Sequence, residues 1–100
     1  MPVVNTEPLV TKRIEGAEHG ATISLILDSS EAGQGPRLHR HPYDETWVVI
    51  EGSVEFQAAD EGDVVMMPAD APHKFTNHGP GRSRLVCIHA SPRVIGEWLE

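Results

Sequence analysis

Three histidines and one glutamate in this sequence stand at spacings that let them serve a single centre. His39 and His41 are two residues apart. On an extended strand residues i and i+2 point to the same face, so both imidazoles reach one point while Arg40 between them points away. Glu45 follows across Pro42, whose fixed φ and missing N–H suit a bend or a sheet edge from which the carboxylate swings back toward the imidazoles. His73 arrives from a separate strand, after Pro72. Three neutral imidazoles and one carboxylate suit one divalent transition metal, Fe, Mn, Ni, Cu or Zn, and on a six-coordinate ion they leave two positions open. Open positions permit catalysis. A purely structural zinc, by contrast, prefers a closed four-coordinate site rich in cysteine.

The elements that must position these residues are short. The chain has 100 residues, which sets the expectation of one domain over residues 1–100. Nine glycines and eight prolines punctuate brief apolar stretches, where a helical protein would show long 3.6-residue periods. Alternation at period two runs through 8–14, 21–28 (Ile23, Leu25 and Leu27 on one face), 46–50, 54–57, 64–67, 73–77 and 83–90. Seven short strands in one domain predict an all-β sandwich or closed barrel. One helix is expected, at the C-terminus: Ser91 as N-cap, Pro92 at the first helical position, and Val94, Ile95, Trp98 and Leu99 on one stripe. A small core and that apolar stripe together predict a homodimer.

Composition narrows the partners. A net charge of −7 repels nucleic-acid backbones and anionic membrane surfaces, so neither is expected as a partner. The start of the chain shows no basic and then apolar leader, and no apolar run approaches the ~20 residues of a membrane span, so the expected location is cytoplasmic. Cys87, the only cysteine, is flanked by Val86 and Ile88 and reads as a packed, inert thiol.

The histidines sit inside two longer patterns. Gly33, five residues, His39-Arg40-His41, three residues, Glu45, six residues and Gly52 form the first; Gly62, five residues, Pro68, one residue, Asp70, two residues, His73, three residues and Asn77 form the second. Both resemble the two motifs of the cupin superfamily of small metal-binding β-barrels, and together they span just under half the chain. The resemblance implies a double-stranded β-helix, or jelly-roll, barrel, with His39, His41, Glu45 and His73 as metal ligands. Two departures stand out. Asp70 occupies a position where the pattern has glycine, and Asp tolerates the left-handed region better than most residues. The nine residues between Gly52 and Gly62 are fewer than the two strands and turn usual there, which implies either a truncated hairpin or a missing loop.

Strand parity extends the site. Trp47 shares a face with Glu45, and Phe75 and Asn77 share one with His73, although Asn77 serves a structural hydrogen bond as readily as a ligand. His89, ending the last strand, is either a neighbour of the ligands or a structural histidine, and Arg37, in parity with His39 and His41, either holds a substrate carboxylate at the pocket mouth or lies on exposed surface. His19 and His78 lie in turn-like stretches and are expected in solvent. The resemblance implies a metal-dependent enzyme acting on a small organic molecule, with dioxygenase-type oxidation first and isomerisation second. The alternative is a non-catalytic, metal-dependent module that binds or senses a small ligand.

Overall fold

The computed structural model describes residues 3–55 and 58–100. Among these residues ten strands form: β1 (Lys12–Ile14), β2 (Ser24–Ser30), β3 (His39–Arg40), β4 (Glu45–Glu51), β5 (Ser53–Glu55), β6 (Ala59–Asp60), β7 (Val64–Met67), β8 (Thr76–Asn77), β9 (Ser83–His89) and β10 (Glu97–Trp98). One layer is a five-stranded antiparallel sheet in the order β1-β2-β9-β4-β7. The facing layer holds the sheet β6-β5-β8 and the pair β10-β3, with a bridge between His39 and His73. Strands distant in sequence lie side by side, as in a double-stranded β-helix, and Trp47, Val49, Val54, Ala59, Met67, Phe75, Leu85 and Cys87 fill the space between the layers. Cys87 is buried there as expected, and burial pushes its thiol pKa up.

Period two decides which side chains enter the barrel. On β4 and β9 the buried positions alternate without exception from Glu45 to Val49 and from Ser83 to His89. On β2 the inward side is Ser24, Ile26, Asp28 and Ser30, so the more apolar set Ile23, Leu25 and Leu27 faces outward. In the five-stranded sheet the outer face thus carries two cross-strand rows, Ile14-Leu25-Ile88-Thr46-Met66 and Lys12-Leu27-Val86-Val48-Val64.

The short segment after Gly52 closes a hairpin all the same. Ser53 pairs with Asp60 and Val54 with Ala59, so the partner strand needs only two residues. Of the stretch 54–57 expected as a strand, Phe56 and Gln57 lie outside the described residues. Asp70 takes φ 66°, the left-handed conformation its place in the motif demands. Its N–H donates to the His41 carbonyl at 2.7 Å, tying the turn to the histidine strand.

The expected C-terminal helix does not form. Residues 91–93 bend, and Glu97 and Trp98 run antiparallel to Arg40 and His39 as β10. A helix of under ten residues pays its nucleation cost with little return, and Gly96 weakens it further, whereas the edge of β3 offers unpaired backbone groups. Leu99 N–H donates to the Leu38 carbonyl at 2.9 Å, and Arg40 and Glu97 form an ion pair at 3.0 Å. Extended backbone scatters Val94, Ile95, Trp98 and Leu99 over different faces, so no helical dimer stripe exists. No helix is long and apolar enough to cross a membrane among the described residues.

Candidate metal centre

Each histidine of the cluster is fixed by a main-chain carbonyl. The Nδ1 atoms of His39, His41 and His73 lie 2.6, 2.7 and 2.9 Å from the carbonyl oxygens of Arg37, Ile95 and Ala71. A carbonyl only accepts, so each Nδ1 carries a proton; a protonated ring also donates from Nε2, as His73 does to Glu45 Oε1, whereas a neutral ring presents its Nε2 lone pair to an ion. The Nε2 atoms of His41 and His73 stand 3.0 and 2.9 Å from Glu45 Oε1. With His39, these residues place one ligand atom each within 4.8 Å of one another. That is the separation at which four donors can share one ion.

Local structure explains the convergence. His39 and His41 flank the end of β3, while β4 begins at Glu45, so the bend at Pro42 returns the carboxylate to the imidazoles. His73 is brought in by its backbone bridge to His39, with N···O distances of 3.0 and 2.8 Å. Gly35 permits the approach of the preceding loop, because a Cβ there would collide with the Phe75 carbonyl.

The carboxylate's second oxygen is also held. Trp47 Nε1 donates to Glu45 Oε2 at 2.9 Å, and His89 Nε2 lies 3.3 Å from the same oxygen, though without an aligned hydrogen bond. Tyr43 Oη sits 2.6 Å from His89 Nδ1 and accepts the Ile95 N–H at 3.2 Å. Burial alone would raise the Glu45 pKa, but His41, His73 and His89 outweigh it and hold the carboxyl far below the usual range. Burial lowers His39; in His41 the same effect is outweighed by Glu45 and the Ile95 carbonyl, and the pKa rises. The buried Nε2 atoms of His41 and His89 have no hydrogen-bond partner, a costly state that a cation on the His41 lone pair would relieve. The donor set therefore fits a divalent transition metal.

The cluster opens into a cavity of about 550 Å³. Its walls include Trp47, Phe75, His89, Arg13, Asp28 and Trp98. Trp47 and Phe75 thus stand where strand parity put them, and His89, from the end of the last strand, lines the same cavity. Asn77 and Arg37 are not among the lining residues. Asn77 is buried, but its amide donates to the carbonyls of Ser30 and Gly81 and accepts the Gly79 N–H, which occupies its polar atoms structurally. Arg37 precedes β3, where strand parity does not hold; it is exposed, with its guanidinium 5.0 Å from the Trp98 ring centroid. His78 is exposed near Glu55, and His19 is half-buried in the short 3-10 turn Gly16–His19, outside the cluster. Sequence reasoning missed Tyr43 and Asp28. Tyr43 sits in an irregular bend that gives no periodic signal, whereas Asp28 shares parity with Ile26 and was legible on that ground.

Fold and site define a small β-barrel whose His/Glu cluster could hold a metal ion. The chain belongs to the cupin family: the family model described as Cupin domain matches residues 28–89. Among curated proteins it is similar to "Polyketide synthase CurC" of Streptomyces cyaneus, with 36% identity over 83 residues, covering 73% of this chain and 52% of that protein. The chain therefore spans about half the length of this relative. Among solved structures it is similar to an uncharacterised protein with a double-stranded β-helix domain from Klebsiella pneumoniae (TM-score 0.74, 21% identity, 95% of this chain and 84% of that one). It is also similar to Bacillus subtilis oxalate decarboxylase, described with Mn(II) centres (TM-score 0.80, 20% identity, 96% of this chain and 29% of that one).

Proposed function

We propose that this chain is a single-domain, metal-dependent cupin enzyme acting on a small organic molecule, with His39, His41, Glu45 and His73 holding one divalent transition metal. The observation that carries the reading is the set of three Nδ1–H to carbonyl anchors, which leave three Nε2 lone pairs converging beside Glu45 Oε1. Of the oxidising and isomerising chemistries, dioxygenase-type oxidation is the first choice. A bound ion would supply Lewis acidity and, if Fe or Mn, access to one-electron chemistry. The protein's own part is to orient the ligand against the wall formed by Trp47 and Phe75, keep the four donors in place, and exclude water beside the buried His89. The similarity to a protein named as a polyketide synthase supports a polyketide-like substrate, and the aromatic cavity walls suit one with flat rings.

Protein purified without chelator or affinity tag should contain about one metal equivalent per chain and consume oxygen with some member of a panel of phenols, hydroxylated aromatics and diketones. Well under half an equivalent after reconstitution with Mn, Fe, Ni, Cu and Zn would reject the metal. Tight binding of panel members without turnover by oxidation or isomerisation would favour the sensing module.

We also propose a cytoplasmic homodimer, now through the outer face of the five-stranded sheet. Its two rows carry one charge, Lys12, in a chain of net charge −7, and leave Met66 75% and Val64 57% exposed. Two copies that repel elsewhere can meet there, and contiguous apolar patches of this kind mark association sites. Light scattering should give twice the 10.9 kDa chain mass for wild type and the single mass for Met66→Lys; a wild-type monomer at high micromolar concentration rejects the dimer.

A further inference from the structure

The cavity has a second polar end. On the inner face of the five-stranded sheet, Glu45 stands beside His89, and His89 beside Ser24. Two residues along, the row is Trp47-Cys87-Ile26-Arg13; two further, it is Val49-Leu85-Asp28. Asp28 is therefore two rows and two strands from Glu45, about 17 Å between Cα atoms at ordinary strand spacings. Both residues line the same cavity.

Asp28 is poorly provided for. Its strand neighbour on the inner face is Ile26 and its cross-strand neighbour is Leu85. Its carboxylate takes one hydrogen bond among the described residues, from the Ser30 hydroxyl at 2.9 Å from Oδ2. Arg13 lines the same wall, yet the two form no ion pair. Burial raises the Asp28 carboxyl above its ordinary range, with the Ser30 bond opposing. A carboxyl kept in such surroundings, with one oxygen unused and a cavity in front of it, has the character of a ligand-binding group. Between the two polar ends the walls are Trp47 and Phe75, packed edge to face at 4.8 Å between ring centroids, with Trp98 farther out. Those walls suit a flat, fused-ring body, and a cavity of about 550 Å³ accommodates one.

We propose that Asp28 anchors a hydroxyl group at the end of the ligand remote from the His39, His41, Glu45, His73 cluster, which makes the ligand a planar hydroxylated aromatic spanning both ends. The proposal rests on the reading of that cluster as the metal end of the site. Asp28 acts on the ligand directly, holding its orientation so that the opposite edge meets the cluster.

The test uses the full chain loaded with Zn(II), which cannot turn over an oxidisable probe. Calorimetric titration compares 2,3-dihydroxynaphthalene, whose vicinal pair takes the metal end, with 2,3,6-trihydroxynaphthalene, which adds one distal hydroxyl. Wild type should bind the trihydroxy probe about tenfold more tightly, the usual worth of a hydrogen bond to an ionisable group. In Asp28→Ala that advantage should fall below about twofold, with the dihydroxy affinity and zinc content unchanged. Should Asp28→Ala fail to fold, the near-isosteric Asp28→Asn carries the test, with the advantage reduced at least about threefold. A wild type without the advantage, a variant that keeps it, or equal weakening of both probes overturns the proposal. Zinc analysis of the same samples separates the two readings: an Asp28-dependent preference in a chain that holds no zinc overturns the metal assignment alone.

Discussion

Trp47 donates its indole N–H to Glu45 Oε2 at 2.9 Å from two residues farther along the same strand face. With that oxygen engaged, Oε1 is the one left facing His41 and His73. Trp47→Phe keeps the ring's bulk and removes the donor. It should weaken metal affinity about 10–100-fold, the usual effect of losing a group that orients a ligand, while the chain stays folded. Competition against a chelator of known affinity measures this, and an unchanged affinity would show that the indole merely packs.

Asp28→Asn should raise the melting temperature of the metal-free chain at pH 7. A carboxyl whose folded-state pKa lies above its unfolded value of about 3.8 binds protons more tightly in the folded state, so its ionised form costs stability at neutral pH. That cost fades as pH falls through the raised value, and the two melting curves should converge below pH 4. A variant less stable than wild type at pH 7 would show that the carboxylate is favourably held.

Acid should strip the metal. Each imidazole must be neutral to coordinate, and the ordinary histidine pKa of ~6.5 puts proton competition in force below about pH 6. Because the ion binds the folded chain, its loss should lower the melting temperature between pH 7 and pH 5. The His39→Ala/His41→Ala double variant provides the control for acid effects unrelated to metal. Parallel curves for the two proteins, with metal present throughout, would mean that no ion is coupled to the fold through these residues.

Asn77→Ala should cost about 2–4 kcal/mol, since it strips partners from three backbone groups around the Gly79–Gly81 turn. Denaturant unfolding measures the loss, and metal content per folded chain should not change. A fall in metal content at equal folding would move Asn77 into the site.

What the sequence disclosed and what it concealed follow from physical causes. His39, His41, Glu45 and His73 were legible because strand parity and a fixed bend leave little freedom in where their side chains go, and the structure brings them together. The C-terminal stripe misled because Val94, Ile95, Trp98 and Leu99 fit a helical face over too few residues to exclude an extended chain, and the open edge of β3 decided the outcome. Asp28 was passed over although it shares parity with Ile26, because alternation alone does not say which side of a strand faces the core. In β2 the apolar side faces outward, so Ser24, Asp28 and Ser30 point into the barrel.

Pairing β10 with β3 sets the Trp98 ring 5.3 Å from that of His39, with its indole still largely in water. An ion on His39 would therefore lie within reach of a native fluorophore. Mn(II) or Cu(II) at that position should dim Trp98 emission through its unpaired electrons, while Zn(II) should leave it bright. The strand β10 would thereby give the protein an optical gauge of any ion bound there, with no dye or label attached.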